Sequence, residues 1–243
     1  MAKTYSDVSS EIRTYLDEAA AIDFTDAEVL RSANRSYQDV VGKVMEVNER
    51  YYDTTTPYTY AIVADQQEYT IASSLIKPTR VEINYSPTVS GSVASRAFPV
   101  DMDEIRSNLA NTNASWSTSS PRYYLHGNTG SQKIGFVPVP TVADTGATKS
   151  ISVWGIDLPA DLTVAGDNVN IPYADRFVYL ISLRGAGQLL RKGQAEEANA
   201  INYLREYDKG VIELQTFLKD RQADDMMGII DVLGEDLDFS HSL

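Results

Sequence analysis

Helical periodicity at the two ends of the chain encloses a middle written in short β-branched and aromatic runs, and this arrangement restricts the available folds more than any other feature. Val8, Ile12, Tyr15, Leu16 and Ala19 fall on one face of a helix over residues 6–20. Thr25 stands three residues before Glu28, the spacing of a capping box. Leu30, Ala33, Tyr37, Val40, Val41 and Val44 continue the period towards Tyr51. Near the other end, Phe177, Val178, Leu180, Ile181, Leu183, Ala186, Leu189 and Leu190 are apolar on almost every side, as in a buried helix. Gly185 and Gly187 interrupt that run. Each weakens a helix by about 1 kcal/mol relative to alanine, so close backbone packing is the physical reason to keep them. After Lys192-Gly193 a last helix carries Ile201, Leu204, Tyr207, Val211, Leu214 and Leu218 on one face.

The period changes after Asp53-Thr54-Thr55-Thr56-Pro57, because the residue before proline is pushed out of the helical region. Strands are expected at 58–63, 68–71, 79–85, 122–125, 133–137 and 150–155. The clearest hairpin joins Tyr123-Tyr124-Leu125 to Ile134-Gly135-Phe136 across Gly127-Asn128-Thr129-Gly130. Met102–Leu109 reads as one or two helical turns and Ala110–Ser120 as a polar loop. Terminal helices must find each other to bury their stripes. The expected fold is therefore α+β: a helical bundle from residues 1–56 and 172–220, an antiparallel β domain inserted at 57–171, and an extended C-terminal arm at 221–243.

Composition narrows the chemistry. There is no cysteine, which excludes disulfides, thiolate metal sites and cysteine nucleophiles. The net charge of -13 argues against gripping nucleic acid through its phosphates. Met1–Asp7 lacks an apolar h-region and no run of about 18 apolar residues occurs, so an aqueous, unsecreted compartment and no membrane are expected. The sequons at Asn34 and Asn113 then read as chance matches.

The only histidines, His126 and His241, have no metal-ligand spacing around them and no evident partner. Gly185-Ala186-Gly187 lies inside a helix, and no Gly-Lys-Ser or Gly-Lys-Thr run exists to cradle phosphate. The pairs Asp101/Asp103 and Asp224/Asp225 read as solvated loop acids rather than acid-base or calcium sites. Tyr37, Tyr123, Tyr207 and Trp154 read as core or interface residues with polar tips at solvent. No catalytic residue, cofactor or metal is expected.

The C-terminus asks for a different explanation. Beyond Arg221, apolar residues are interleaved with Asp224, Asp225, Asp231, Glu235, Asp236 and Asp238, without a clean helical period. Adaptable methionines suit a surface that docks elsewhere. Fully extended, residues 221–243 span about 75 Å, enough to reach another subunit.

The order of the parts carries a resemblance. The Thr25–Tyr52 helix is followed by Glu68-Tyr69-Thr70-Ile71, Lys77-Pro78-Thr79-Arg80-Val81 and Pro121-Arg122-Tyr123-Tyr124. Then come Ile134-Gly135-Phe136-Val137-Pro138-Val139-Pro140, Trp154-Gly155-Ile156-Asp157-Leu158, and Gly166-Asp167-Asn168-Val169-Asn170-Ile171-Pro172-Tyr173 leading into a helix. Over roughly residues 6–220 this resembles the head-to-tail adaptor, connector or head completion proteins of tailed bacteriophages.

The resemblance implies a structural, non-enzymatic role in the neck of a virion, with the host cytoplasm as the place of assembly. It implies a homo-oligomeric ring of about a dozen copies that docks on the portal protein, contacts a downstream tail or neck protein, and surrounds DNA that passes without specific binding. Met226, Met227, Ile229, Ile230, Val232 and Leu233 become the portal-docking candidates, and the acidic balance acquires a use in repelling DNA from the channel wall. Two other readings stand beside it. One is a tail completion or baseplate protein; the other is a carbohydrate-binding or hydrolytic module built on Tyr123, Tyr124 and Asp103.

Overall fold

The structure, a computed structural model, describes residues 3–18, 23–84, 95–101, 121–127, 132–140, 149–165, 168–193 and 197–235, the last fourteen as backbone. It divides into two units: residues 1–51 with 159–243, and residues 52–158. The expectations for Met102–Leu109, Ala110–Ser120, the turn after Gly127 and His241 lie outside the described residues.

The first unit contains α1 (Tyr5–Tyr15), α2 (Asp26–Val47), a short α3 (Ala174–Phe177), α4 (Tyr179–Gly193) and α5 (Glu197–Glu235). The α2 start is built as the spacing predicts: the Thr25 hydroxyl accepts from the Glu28 amide at 3.3 Å while the Glu28 carboxylate accepts from the Thr25 amide at 3.0 Å. Such a cap is worth about 1 kcal/mol. The helix ends at Val47 and a 3-10 turn, Glu49–Tyr52, carries the chain on.

The two α4 glycines have the close neighbours their cost implied. A Cβ on Gly185 would lie 2.8 Å from Ile12 Cδ1 of α1, and its carbonyl accepts from the Ser32 hydroxyl of α2 at 2.9 Å. A Cβ on Gly187 would lie 3.1 Å from Leu204 of α5. The three other long helices thus meet α4 at two glycines separated by a single residue. Val8, Ile12, Val40, Val44, Phe177, Leu180, Ile181 and Leu214 form the buried interior of this unit.

Three sequence expectations need correction here. Residues 221–235 are not an extended arm: α5 runs unbroken through 39 residues to Glu235, about 58 Å at 1.5 Å per residue. Ile201 leaves the buried face, which follows Ala200, Tyr207, Val211, Leu214 and Leu218 instead. Segment 159–171, expected with the insert, belongs to the helical unit because α2 holds it. Asn34 brackets Leu162, donating to its carbonyl and accepting from its amide, Gln38 donates to the Pro159 carbonyl, and the Tyr37 hydroxyl bonds the Asn170 backbone. The tip of Tyr37 is therefore internal, and burial pushes its phenol up to about 12.

The second unit is a seven-stranded mixed sheet, β1 (Tyr58–Ala61), β2 (Glu68–Thr70), β3 (Leu75–Asn84), β4 (Ser95–Pro99), β5 (Arg122–His126), β6 (Lys133–Val137) and β7 (Ser150–Asp157), in the order β1-β7-β3-β4-β5-β6-β2. All neighbours are antiparallel except β4 and β5, so the insert is mixed rather than purely antiparallel. The expected hairpin has its register: Tyr123 faces Phe136, Tyr124 faces Gly135 and Leu125 faces Ile134.

The sheet rolls up. Its edge strands are β1 and β2, yet the Tyr60 hydroxyl accepts from the Ala72 amide at 3.2 Å and the Tyr69 hydroxyl accepts from the Val63 amide at 3.2 Å. One apolar cluster inside draws on strands from one edge to the other, including Tyr69, Val81, Ile83, Ala97, Phe136, Ile151 and Val153. Glycine is required at one point on this wall, because a Cβ on Gly155 would meet the Lys77 carbonyl at 2.4 Å.

Candidate assembly surfaces

The far half of α5 is anchored by an aromatic and guanidinium cluster. Tyr173, in a left-handed conformation with φ 52°, meets Phe217 edge-on at 4.9 Å between centroids, and Phe177 lies 5.8 Å from the same ring. Arg176 sits 4.8 Å from the Phe217 centroid and pairs with Glu213. Arg221 sits 5.2 Å from the Tyr173 ring and donates to its hydroxyl. Contacts of this kind contribute about 0.5–1 kcal/mol each at an exposed site. They tie α5 to the turn before α3 as far as Arg221.

Beyond that anchor lie the docking candidates, and helical backbone sorts them. Positions 226, 229, 230 and 233 follow the i, i+3, i+4, i+7 spacing of a single helix face. Positions 227 and 232 fall on either side of it, each roughly 110° away at 100° per residue. The acidic positions 224, 231 and 235 share the opposite face. Sequence reading missed this period because Gly228 and Gly234 interrupt it and because Met227 and Val232 blur the stripe.

Charge is divided unequally between the units. The chain has 21 Lys and Arg against 34 Asp and Glu; the β unit holds seven and nine of these, leaving fourteen and twenty-five in the helical unit. The helical unit is thus -11 and the β unit -2. Residues 222–243 contain six acids and no Lys or Arg.

Inside the helical unit, the Asp39 carboxylate accepts from both Arg184 and Tyr207, joining α2, α4 and α5. Burial of Tyr207, with its hydrogen bond to Asp39 adding to it, raises that phenol far above its ordinary value.

The β unit has its own polar cluster, and it corrects the expectation that His126 has no partner. His126 Nε2 lies 2.8 Å from Glu68 Oε1. Lys133 Nζ is 3.4 Å from the other carboxylate oxygen, and the Tyr124 hydroxyl donates to Glu68 at 3.3 Å. Partial burial would raise the Glu68 carboxyl, but the His126 and Lys133 charges outweigh it and hold the group below its ordinary value. The pairing of β2 with β6 and of β6 with β5 creates this cluster, linking residues 58 apart in the chain, so no local motif announces it. Tyr123, proposed with Tyr124 for a sugar module, faces the apolar cluster instead; Asp103 lies outside the described residues.

A protein-family model, the SU10 adaptor protein, matches residues 3–231. The chain belongs to the SU10 adaptor protein family. No curated protein matches it significantly. The family is one of phage structural proteins rather than enzymes, so this adaptor is a bacteriophage structural protein. The match spans both units and takes in Met226, Met227, Ile229 and Ile230, ending before Val232 and Leu233. Among the described residues of the adaptor, no helix is long and apolar enough to cross a membrane, and no group of three or more His, Asp or Glu is placed to hold a metal.

Proposed function

We propose that this adaptor assembles as a ring in the neck of a tailed-phage virion, docks on the portal through the end of α5, and continues the DNA channel towards the tail. The observation that carries the reading is the C-terminal stretch of α5. An acidic helix continues past the last anchoring residue, Arg221, with four of the six docking candidates, at 226, 229, 230 and 233, on one face. A preformed amphipathic helix suits a groove on a partner, and its ordering entropy is already largely met before docking.

The surplus of eleven negative charges on the helical unit supports a channel function. Acid facing DNA phosphates keeps the genome from binding, so it slides. Repetition around a ring then multiplies weak contacts into a stable assembly.

The test is a chain lacking residues 222–243, mixed with purified portal and viewed by electron microscopy. The reading predicts that rings no longer form on the portal while the truncated chain stays folded by circular dichroism. Undiminished rings would refute the role given to α5. Assembly on a tail tube instead of a portal would favour the tail completion reading.

A further inference from the structure

Between α2 and α4 of the helical unit lies a cleft of about 230 Å³ lined by Glu28, Arg31, Ser32, Arg35, Gln188 and Lys192, with Leu189 at its side. Its charge is unusual for so acidic a chain. The Glu28 carboxylate is taken up by Lys192 and by the Thr25 cap, which hold it down to about 2, so it is already neutralised within the cleft. Arg31 and Arg35, one helical turn apart and both exposed, form no hydrogen bond or ion pair among the described residues. The cleft therefore presents two uncommitted guanidinium groups, the residue type best suited to bidentate carboxylate recognition.

We infer that this cleft receives the acidic face of α5, positions 224, 231 and 235, from a second copy of the chain. Charge complementarity selects the segment, because residues 222–243 carry six acids and no Lys or Arg. Reach selects a second copy rather than the chain's own terminus. Gly187, one residue before the cleft, packs on Leu204, and from there α5 runs 31 residues to Glu235, about 46 Å of rigid helix away. Position 224, the nearest of the three, already stands 20 residues past Leu204, about 30 Å along the same helix, so the acidic face of α5 does not return to its own cleft. The contact joins two different surfaces of identical copies, the heterologous kind from which a ring is built when the rotation between copies closes. It leaves the face with Met226, Ile229, Ile230 and Leu233 to the portal. The inference rests on the ring reading and specifies one contact within it.

Charge reversal tests it on the full chain. Equal amounts of ¹⁴N- and ¹⁵N-labelled protein are joined at low ionic strength with a zero-length carbodiimide cross-linker, and self-association is followed by sedimentation velocity. Mixed-isotope peptides linking Lys192 to Asp224, Asp231 or Glu235 are expected. R31E/R35E should weaken self-association at least roughly tenfold, as removal of a charge pair at an interface does. D224R/D231R/E235R should do the same alone and restore association when mixed with R31E/R35E. Association unchanged in R31E/R35E would overturn the cleft contact and leave the ring reading standing. A chain that stays monomeric both alone and with portal would overturn both.

Discussion

The two units solve the same problem with different means. The β unit is assembled from a continuous stretch of chain, is nearly neutral, and closes a rolled sheet around one apolar cluster. The helical unit draws on both ends of the chain, as the bond between Ser32 and Gly185 across 153 positions shows, and carries almost all of the net charge. Self-repulsion weakens a compact state, so the acid there calls for a functional reason where the β unit needs none. The contrast teaches that the part with the harder folding task also presents the surface proposed for assembly.

The largest effects that would sharpen this contrast come from the two interiors. Phe136→Ala in the β unit and Phe177→Ala in the helical unit each remove a fully buried ring and should cost about 3–5 kcal/mol. In scanning calorimetry, Phe136→Ala should lower the transition of the β unit alone and Phe177→Ala that of the helical unit. A single transition shifted equally by both would break the division.

Next in size is the joint at Asp39. Asp39→Ala leaves Arg184 and Tyr207 without their acceptor and should destabilise the helical unit by about 1–3 kcal/mol, read from the urea midpoint. Gly135→Ala in the β unit should cost a similar or smaller amount, about 1–3 kcal/mol, because the new Cβ would lie 2.2 Å from the Tyr124 ring. In a Tyr124→Ala background most of that cost should vanish, and a double-mutant cycle measures the coupling.

These same residues show what could be read without coordinates. Local rules carried far: the Thr25 and Glu28 cap, the Tyr123 to Phe136 hairpin and the meaning of Gly185 and Gly187 all depend on short spacings or on backbone cost. The strand Ser95–Pro99 escaped because only Ala97 is buried and because a two-residue parallel pairing with β5 leaves no local pattern. The helical continuation to Glu235 was hidden by glycines. The cleft of Arg31, Arg35 and Lys192 and the pairing of Glu68 with His126 depend on long-range packing, which no spacing encodes.

The smallest predicted effect is in acid. Asp7, Glu28 and Glu46 of the helical unit and Glu68 of the β unit all have depressed carboxyl values. For Glu28, held down chiefly by Lys192, the folded value of about 2 lies below the ordinary 4.5. The stability it contributes is therefore full above pH 4.5 and is lost as pH falls from there towards 2. Glu28→Gln should flatten that part of the urea midpoint profile of the helical unit and leave the β unit unchanged. An unaltered profile would show that the pairing with Lys192 is absent in solution.

The central claim is that the helical unit, through the end of α5, makes the contact with the portal. Electron cryomicroscopy of the full-length adaptor bound to portal tests it most directly. The account predicts density for α5 continuing past Arg221 onto the portal, with Met226, Ile229, Ile230 and Leu233 at the interface. Portal contacts made by the β unit, with α5 lying free of the portal, would contradict it.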